Sequence, residues 1–240
     1  MTYIILAAGK GSNLYPLNLK YPKTSYKIGE NTTILQRLLR SIRHFDRNGE
    51  IVVVLGYLAD EVKSSLAGEN VKFVLNPFYE VTNSIASLWF ARSYLERECV
   101  TVIHADVVYN DNIVKDYITA FSDYPYVLVD SSLDRPGGYN AVINGENVLV
   151  MSKKLDVFDA GYSMMTKLDA VSARLVKKEV DDMVNAGMND LYFEDALVQM
   201  TMFKDFSLGY RDIKEYEWTE VDDVNDLLKA EKIQKKSNIL

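Results

Sequence analysis

The residues with most chemical potential stand at the end of the first apolar run. There Leu6-Ala7-Ala8 leads into Gly9-Lys10-Gly11-Ser12-Asn13, with Tyr21-Pro22-Lys23-Thr24 following. A glycine-rich turn after a strand lets backbone N–H groups approach an anion closely, because no Cβ intervenes. A nearby lysine adds a mobile point charge suited to phosphate. The turn matches neither standard phosphate loop: it has no GxxxxGK[ST], and Leu14 stands where a dinucleotide loop needs its third glycine. Taken alone, Gly9-x-Gly11 is equally an ordinary strand–turn, and Lys23 equally a solvated surface charge.

The elements around this turn read as an α/β fold. Strands are expected at Tyr3–Ala7, Ile51–Leu55, Val71–Leu75, Val100–Ala105 and Tyr126–Val129. Helical spacing occupies Thr33–Phe45, Ala59–Leu66, Ser84–Leu95 and Asp111–Phe121. Continuous apolar strands alternating with helices predict a Rossmann-like, mainly parallel sheet with helices on both faces. Ligands of such sheets sit beyond the carboxyl ends of the strands. The pattern then changes. Asn140–Asn144 and Val148–Ser152 flank Gly145-Glu146-Asn147 as an inserted β-hairpin. A strand at 159–164, helices at 168–186 and 193–203, a strand near 206–210 and a last helix at 222–236 complete the reading. The expectation is one domain, with a nucleotide-binding part over 1–130, an acceptor-binding part over 131–215 and the C-terminal helix.

Composition narrows the function classes. The chain has 240 residues, 48% hydrophobic and 25% charged, with 27 Lys plus Arg against 34 Asp plus Glu, a formal charge of −7. Nucleic-acid binders draw affinity from basic faces, so this balance argues against one. Cys99 is the one cysteine, which excludes an internal disulfide, and with two histidines the chain is poor in zinc ligands. No segment approaches the roughly 18 apolar residues of a membrane span. These features predict a cytoplasmic protein. The acidity is uneven: residues 9–29 hold Lys10, Lys20, Lys23 and Lys27 and no acid.

Leu6-Ala7-Ala8-Gly9-x-Gly11-Ser12, with Pro22-Lys23 after a short polar loop, resembles the signature of the nucleotidyltransferase (pyrophosphorylase) family. The similarity extends along the chain. Val102-Ile103-His104-Ala105-Asp106 is a strand ending in an acid, where that family places a magnesium-binding aspartate. Trp218-Thr219-Glu220-Val221-Asp222-Asp223-x-x-Asp226-Leu227 is similar to its carboxy-terminal segment, whose first aspartate supplies the second magnesium ligand. Asn76-Pro77-x-Tyr79-x-x-x-Asn83-Ser84-x-x-Ser87-Leu88 and Asp190-Leu191-Tyr192-Phe193-Glu194-Asp195 resemble segments of the phosphocholine cytidylyltransferase branch.

The resemblance implies a GT-A-like nucleotidyltransferase fold and a Mg²⁺-dependent transfer of CMP from CTP to a small phospho-acceptor. Asp106 and Asp222 would hold the Mg²⁺, and Lys23 would be the catalytic cation. Leu6, Ala7, Ala8, Gly9, Lys10, Gly11, Ser12, Asn13, Asn83 and Ala105 would bind the nucleotide. The family commonly has arginine at the place of Asn13, which contributes no charge. The acceptor would be a phosphorylated or phosphonylated amino alcohol or amino acid, because a cationic head group favours aromatic faces and carboxylates. Tyr192 with Asp190 or Glu194 is the preferred acceptor site, and Lys154 a further phosphate contact.

Several of these residues have plainer roles open to them. Asp222 and Asp223 suit the start of the last helix through its dipole. Asp106 could cap a strand–loop junction, Asn83 or Ser84 could cap a helix, and His104 could be a satisfied core histidine. Alternative functions remain. One is a sugar-1-phosphate nucleotidyltransferase using UTP or dTTP, and another a nucleotide-binding regulatory module without turnover. A GT-A glycosyltransferase is disfavoured, because Asp106-Val107-Val108 lacks the second acid of Asp-x-Asp.

Overall fold

The computed structural model describes residues 1–11, 21–132 and 138–239. Strand β1 (Thr2–Ala7) is buried along its whole length. A 3-10 turn at Lys23–Ser25 leads to the short strands β2 (Lys27–Gly29) and β3 (Thr32–Thr33). Helix α1 (Ile34–Phe45) starts at a capping box, with Thr33 accepting from the Gln36 amide and the Gln36 side chain accepting from the Thr33 amide. Then come β4 (Glu50–Leu55), α2 (Ala59–Ser65), β5 (Lys72–Leu75), α3 (Ser84–Phe90), β6 (Cys99–His104), β7 (Val107–Tyr109), α4 (Asp111–Ile113) and β8 (Tyr126–Asp130). The second half holds β9 (Asn140–Asn144), β10 (Asn147–Ser152), β11 (Ala160–Asp169), α5 (Ala170–Asn185), α6 (Phe193–Phe203), β12 (Gly209–Asp212), β13 (Trp218–Glu220) and α7 (Val224–Lys236).

One nine-stranded sheet organises both halves, in the order β5-β4-β1-β6-β11-β8-β12-β10-β9. Strands β5, β4, β1 and β6 are parallel neighbours; β4, β1 and β6 are the continuous apolar runs expected of a sheet buried on both faces, and β5 is its more exposed edge. The rest is mixed. Strand β11 runs antiparallel between β6 and β8, and β9 pairs with both β10 and β11. The mainly parallel expectation therefore describes one side of the sheet only. The β9–β10 hairpin is not an appendage but part of that sheet.

Strand β11 is longer than the sequence suggests. It continues past the expected end at 164 through Thr166 and Lys167, both fully buried, to Asp169, so the helix expected from 168 begins at Ala170. The Lys167 ammonium is satisfied by donating to the carbonyls of Ile118 (2.6 Å) and Ala120 (2.9 Å), so a charged residue is accommodated inside the sheet. The expected helix over 84–95 is α3 followed by a 3-10 turn at Arg92–Glu96.

A second small core matters for the site. Tyr26, Ile28, Ile34, Val108, Val221, Ala230 and Ile233 cluster together. They come from the segment after Lys23, from α1, from β7 beyond Asp106, from the residue before Asp222 and from α7. Hydrophobic burial here clamps three distant parts of the chain to one another. Among the described residues no helix is long and apolar enough to cross a membrane.

Candidate active site

The site forms where β1 and β6 end side by side. The Ala105 amide donates to the Leu6 carbonyl (3.0 Å), extending the ladder by one residue and placing Asp106 beside the turn after β1. Strand β13 then pairs antiparallel with β7, Glu220 opposite Val107. The Val221 amide donates to the Asp106 carbonyl (2.9 Å), continuing that register. Asp222 is thereby carried to Asp106 across 116 residues of sequence, and Val221 is pinned in the small core.

Lys23 completes the arrangement. Pro22, with its fixed φ, precedes the 3-10 turn, and the Ser25 amide donates to the Pro22 carbonyl. The Lys23 side chain, 9% exposed, donates from Nζ to Asp106 Oδ2 and to Asp222 Oδ1, each at 2.8 Å. Burial alone would lower the pKa of Lys23, but the charges of Asp106 and Asp222 outweigh it and hold the ammonium charged. Burial likewise works against the Asp106 carboxylate, and Lys23 and then His104 reverse the effect, so its pKa ends below the ordinary value. Gly11 explains why the turn needs glycine. Its φ is +62°, and a Cβ there would lie 2.9 Å from Lys23 Cβ and 3.2 Å from Cδ.

Neighbouring acids divide the work. Asp223 is the N-cap of α7, accepting from the Asp226 amide (2.9 Å), while Asp222 turns to Lys23. Asp106, Glu220 and Asp222 bring carboxylate oxygens within 4.8 Å of one another. Asp106 Oδ1 is buried without a hydrogen-bond partner. A set of hard oxygen donors with one buried oxygen unsatisfied fits a divalent cation such as Mg²⁺.

These groups face a cleft of about 320 Å³. Leu6, Ala8, Gly9, Gly11, Lys23, Asn83, Asp106, Tyr192 and Asp222 line it, as do His104, Lys153, Met164 and Glu220, which the sequence reading had not placed there. Ala7 and Ala105 are buried behind the wall. Lys10 is exposed and pairs on the surface with Glu80 (2.8 Å). Ser12 and Asn13 lie outside the described residues. Asn83 is the N-cap of α3, and Ser84 instead accepts from the Phe193 amide (2.8 Å), which ties α3 to the start of α6.

The proposed acceptor group comes apart. Tyr192 lines the cleft, and the Lys153 ammonium stands 4.6 Å from its ring centroid. Glu194, two residues on, is fully buried beneath and pairs through Oε1 with His104 Nε2 at 2.8 Å. Tyr192 is the extended N-cap residue of α6 and Glu194 lies in its first turn, so the two side chains part, one to the cleft and one to the core. Asp190 is exposed and outside the lining. Lys154 is also outside it and Lys153 inside, since successive residues leaving a strand point to opposite sides. Met164, in a bulge of β11, has φ +63°, a strained conformation for a non-glycine residue facing the cleft.

His104 and Glu220 carried a signal that could have been read. His104-x-Asp106 and Glu220-x-Asp222 share the two-residue period of extended chain, which sets both members of each pair on one side. His104 is more than a core residue. Burial lowers its pKa, but Glu194, then Asp106 and Glu220, raise it above the usual histidine value.

Comparison with known proteins gives the family and the fold. The chain is 32% identical over 138 residues to the CTP:phosphoglutamine cytidylyltransferase of Campylobacter jejuni, covering 55% of this chain and 53% of that protein. It is 23% identical over 241 residues to the bifunctional protein GlmU of Alcanivorax borkumensis, covering 98% of this chain and 51% of that protein. The chain thus spans about half the length of these curated relatives. The solved CTP:phosphocholine cytidylyltransferase of Streptococcus pneumoniae superposes with a TM-score of 0.78 at 21% identity, covering 97% of this chain and 98% of that one, and so shares the fold. The family match itself covers residues 3–158, from the first strand through the hairpin, and on it the chain belongs to the MobA-like NTP transferase domain family.

Proposed function

We propose that the chain transfers CMP from CTP to a small phosphorylated or phosphonylated amino alcohol or amino acid, releasing pyrophosphate. An acceptor oxygen would attack the α-phosphorus, forming one P–O bond as the bond to the β-phosphate bridging oxygen breaks. Both partners are anionic, so the task is charge neutralisation and positioning. The observation that carries the reading is Lys23 set between Asp106 and Asp222 at the mouth of a glycine turn.

In this reading the main chain of Ala8–Gly11 faces the nucleotide, and Lys23 offsets charge on its phosphates. Asp106 and Asp222, with Glu220 beside them, would hold a Mg²⁺ ion, which when bound polarises phosphoryl oxygens and lowers the charge barrier to attack. Tyr192 offers a ring face to a cationic head group, a role that Lys153 shows the ring can fill. Lys153 is then available to an acceptor phosphate.

CTP is favoured by the phosphoglutamine cytidylyltransferase relative. A sugar-1-phosphate acceptor with UTP or dTTP is the second reading, and the GlmU match over nearly the whole chain favours it. Pyrophosphate release from four nucleoside triphosphates against a panel of acceptors decides between them. Turnover of CTP with amino-alkyl phosphates or phosphonates is expected. Turnover confined to UTP or dTTP with sugar 1-phosphates would move the assignment to the second reading, and silence across the panel would end both.

A further inference from the structure

The ammonium of Lys23 lies between two of the acids read above as holders of a divalent cation. It bridges Asp106 Oδ2 and Asp222 Oδ1 at 2.8 Å each. Those two acids and Glu220 form the one cluster of potential metal-ligating side chains found among the described residues. Two cations cannot share a gap in which the carboxylate oxygens lie within 4.8 Å of one another.

Yet one ammonium does not saturate this gap. Lys23 reaches Asp106 through Oδ2, and Asp106 Oδ1 remains buried and unpartnered. The seat is therefore filled by a monovalent cation that leaves one carboxylate oxygen unsatisfied. Lys23 is also held by its stem: its Cβ and Cδ pack where a Gly11 side chain would be, directly under the glycine turn. A triphosphate entering against that turn would bring several negative charges to within reach of a four-carbon side chain.

We propose that Lys23 is a resident cation that occupies the divalent-metal seat until a nucleoside triphosphate draws it out, so that metal and nucleotide bind interdependently. The device rests on the reading of these acids as metal ligands. It gives Lys23 two successive partners, the carboxylates first and the phosphates afterwards. It also has a use. Without nucleotide the ammonium occupies Asp106 and Asp222, and they attract metal poorly. With nucleotide the lysine leaves as the metal arrives, so a net negative site is never left bare. By linkage, each ligand raises the affinity of the other by the same factor.

The test is Mn²⁺ binding to the full chain, read by the electron-spin resonance of free Mn²⁺, with and without CTP and with no acceptor present. Wild type is expected to bind Mn²⁺ at least about tenfold more tightly with CTP than alone, after correction for the CTP–Mn²⁺ complex. Lys23→Met and Lys23→Gln are expected to bind Mn²⁺ alone at least about tenfold more tightly than wild type. In both, the Asp106→Asn exchange should remove the gain. A variant that melts early but recovers on adding Mn²⁺ supports the proposal, because the metal then replaces the ammonium. Lys23 variants that are destabilised and gain no Mn²⁺ affinity overturn it and leave Lys23 a structural clamp. No acceptor or turnover is involved, so an error in the assignment of acceptor or base would not produce that result.

Discussion

Replacing Gly11 by alanine tests whether the glycine turn and Lys23 form one unit. Two costs are legible. The residue has φ +62°, and a side chain in that region costs roughly 1–2 kcal/mol. The new Cβ would also lie 2.9 Å from Lys23 Cβ, an atom fixed to buried backbone rather than the loose end of a side chain. Relieving that overlap costs about 1–3 kcal/mol. Together they predict a loss of about 2–5 kcal/mol in chemical denaturation. Relief must also displace Lys23 from its 2.8 Å bonds to Asp106 and Asp222. A shift of about 1 Å in a positioning group costs on the order of 100-fold in turnover, so pyrophosphate release should fall by about that factor. Gly9→Ala is the control. Nothing lies within 4 Å of a Cβ at Gly9, and its stability should stay within about 0.5 kcal/mol of wild type. If Gly11→Ala proves as mild as Gly9→Ala in denaturation and keeps near-normal turnover, the contact between turn and lysine is not what holds the site.

Other expectations concern charge. Asp106→Asn and Asp222→Asn should each lower metal-dependent turnover by ~10²–10³-fold while the protein stays folded, and near-normal rates would remove both acids from the site. Because His104 has its pKa raised in the folded state, its pairing with Glu194 stabilises fully below the unfolded value of 6.5 and is lost as pH rises through the folded value. The stability gap between wild type and Glu194→Gln, measured in chelator from about pH 5 to 9, should therefore shrink with rising pH, and a flat gap would contradict the pairing. Lys167 runs the other way. Burial lowers its pKa from 10.5 to about 8, so the unfolded chain binds more protons between those values. Wild type should gain on the order of 3 kcal/mol relative to Lys167→Met as pH rises through that window, and no gain would mean the carbonyls of Ile118 and Ala120 keep the ammonium charged.

Much of the molecule can be read from sequence because the governing forces are local. The strand Thr2–Ala7, the parallel set around it and helices such as Phe193–Phe203 follow from apolar period and caps. The glycine turn, Pro22-Lys23 and the acids after β6 and β13 follow from residue type and order. Polar residues in buried places were the harder part: the strand expected to end at 164 runs on through Lys167, whose carbonyl partners lie in a distant segment. The acceptor group failed for a similar reason. Asp190, Tyr192 and Glu194 are close in sequence, but the turn before α6, its extended N-cap and its first helical turn send them to the solvent, the cleft and the core in chain order.

The sequence by itself thus determined which residue types this protein has available for phosphate and metal chemistry, and the strand ends that carry them. Only the tertiary structure decided their pairing. Asp222 rather than Asp223 meets Lys23 because the β7–β13 register and the small core around Val221 fix its direction. Lys153 rather than Lys154 reaches the cleft, and Gly11 rather than Gly9 is sterically required. Each of these choices turns on which side of the backbone a residue faces, and that is set by hydrogen-bond register and close packing between segments far apart in the chain.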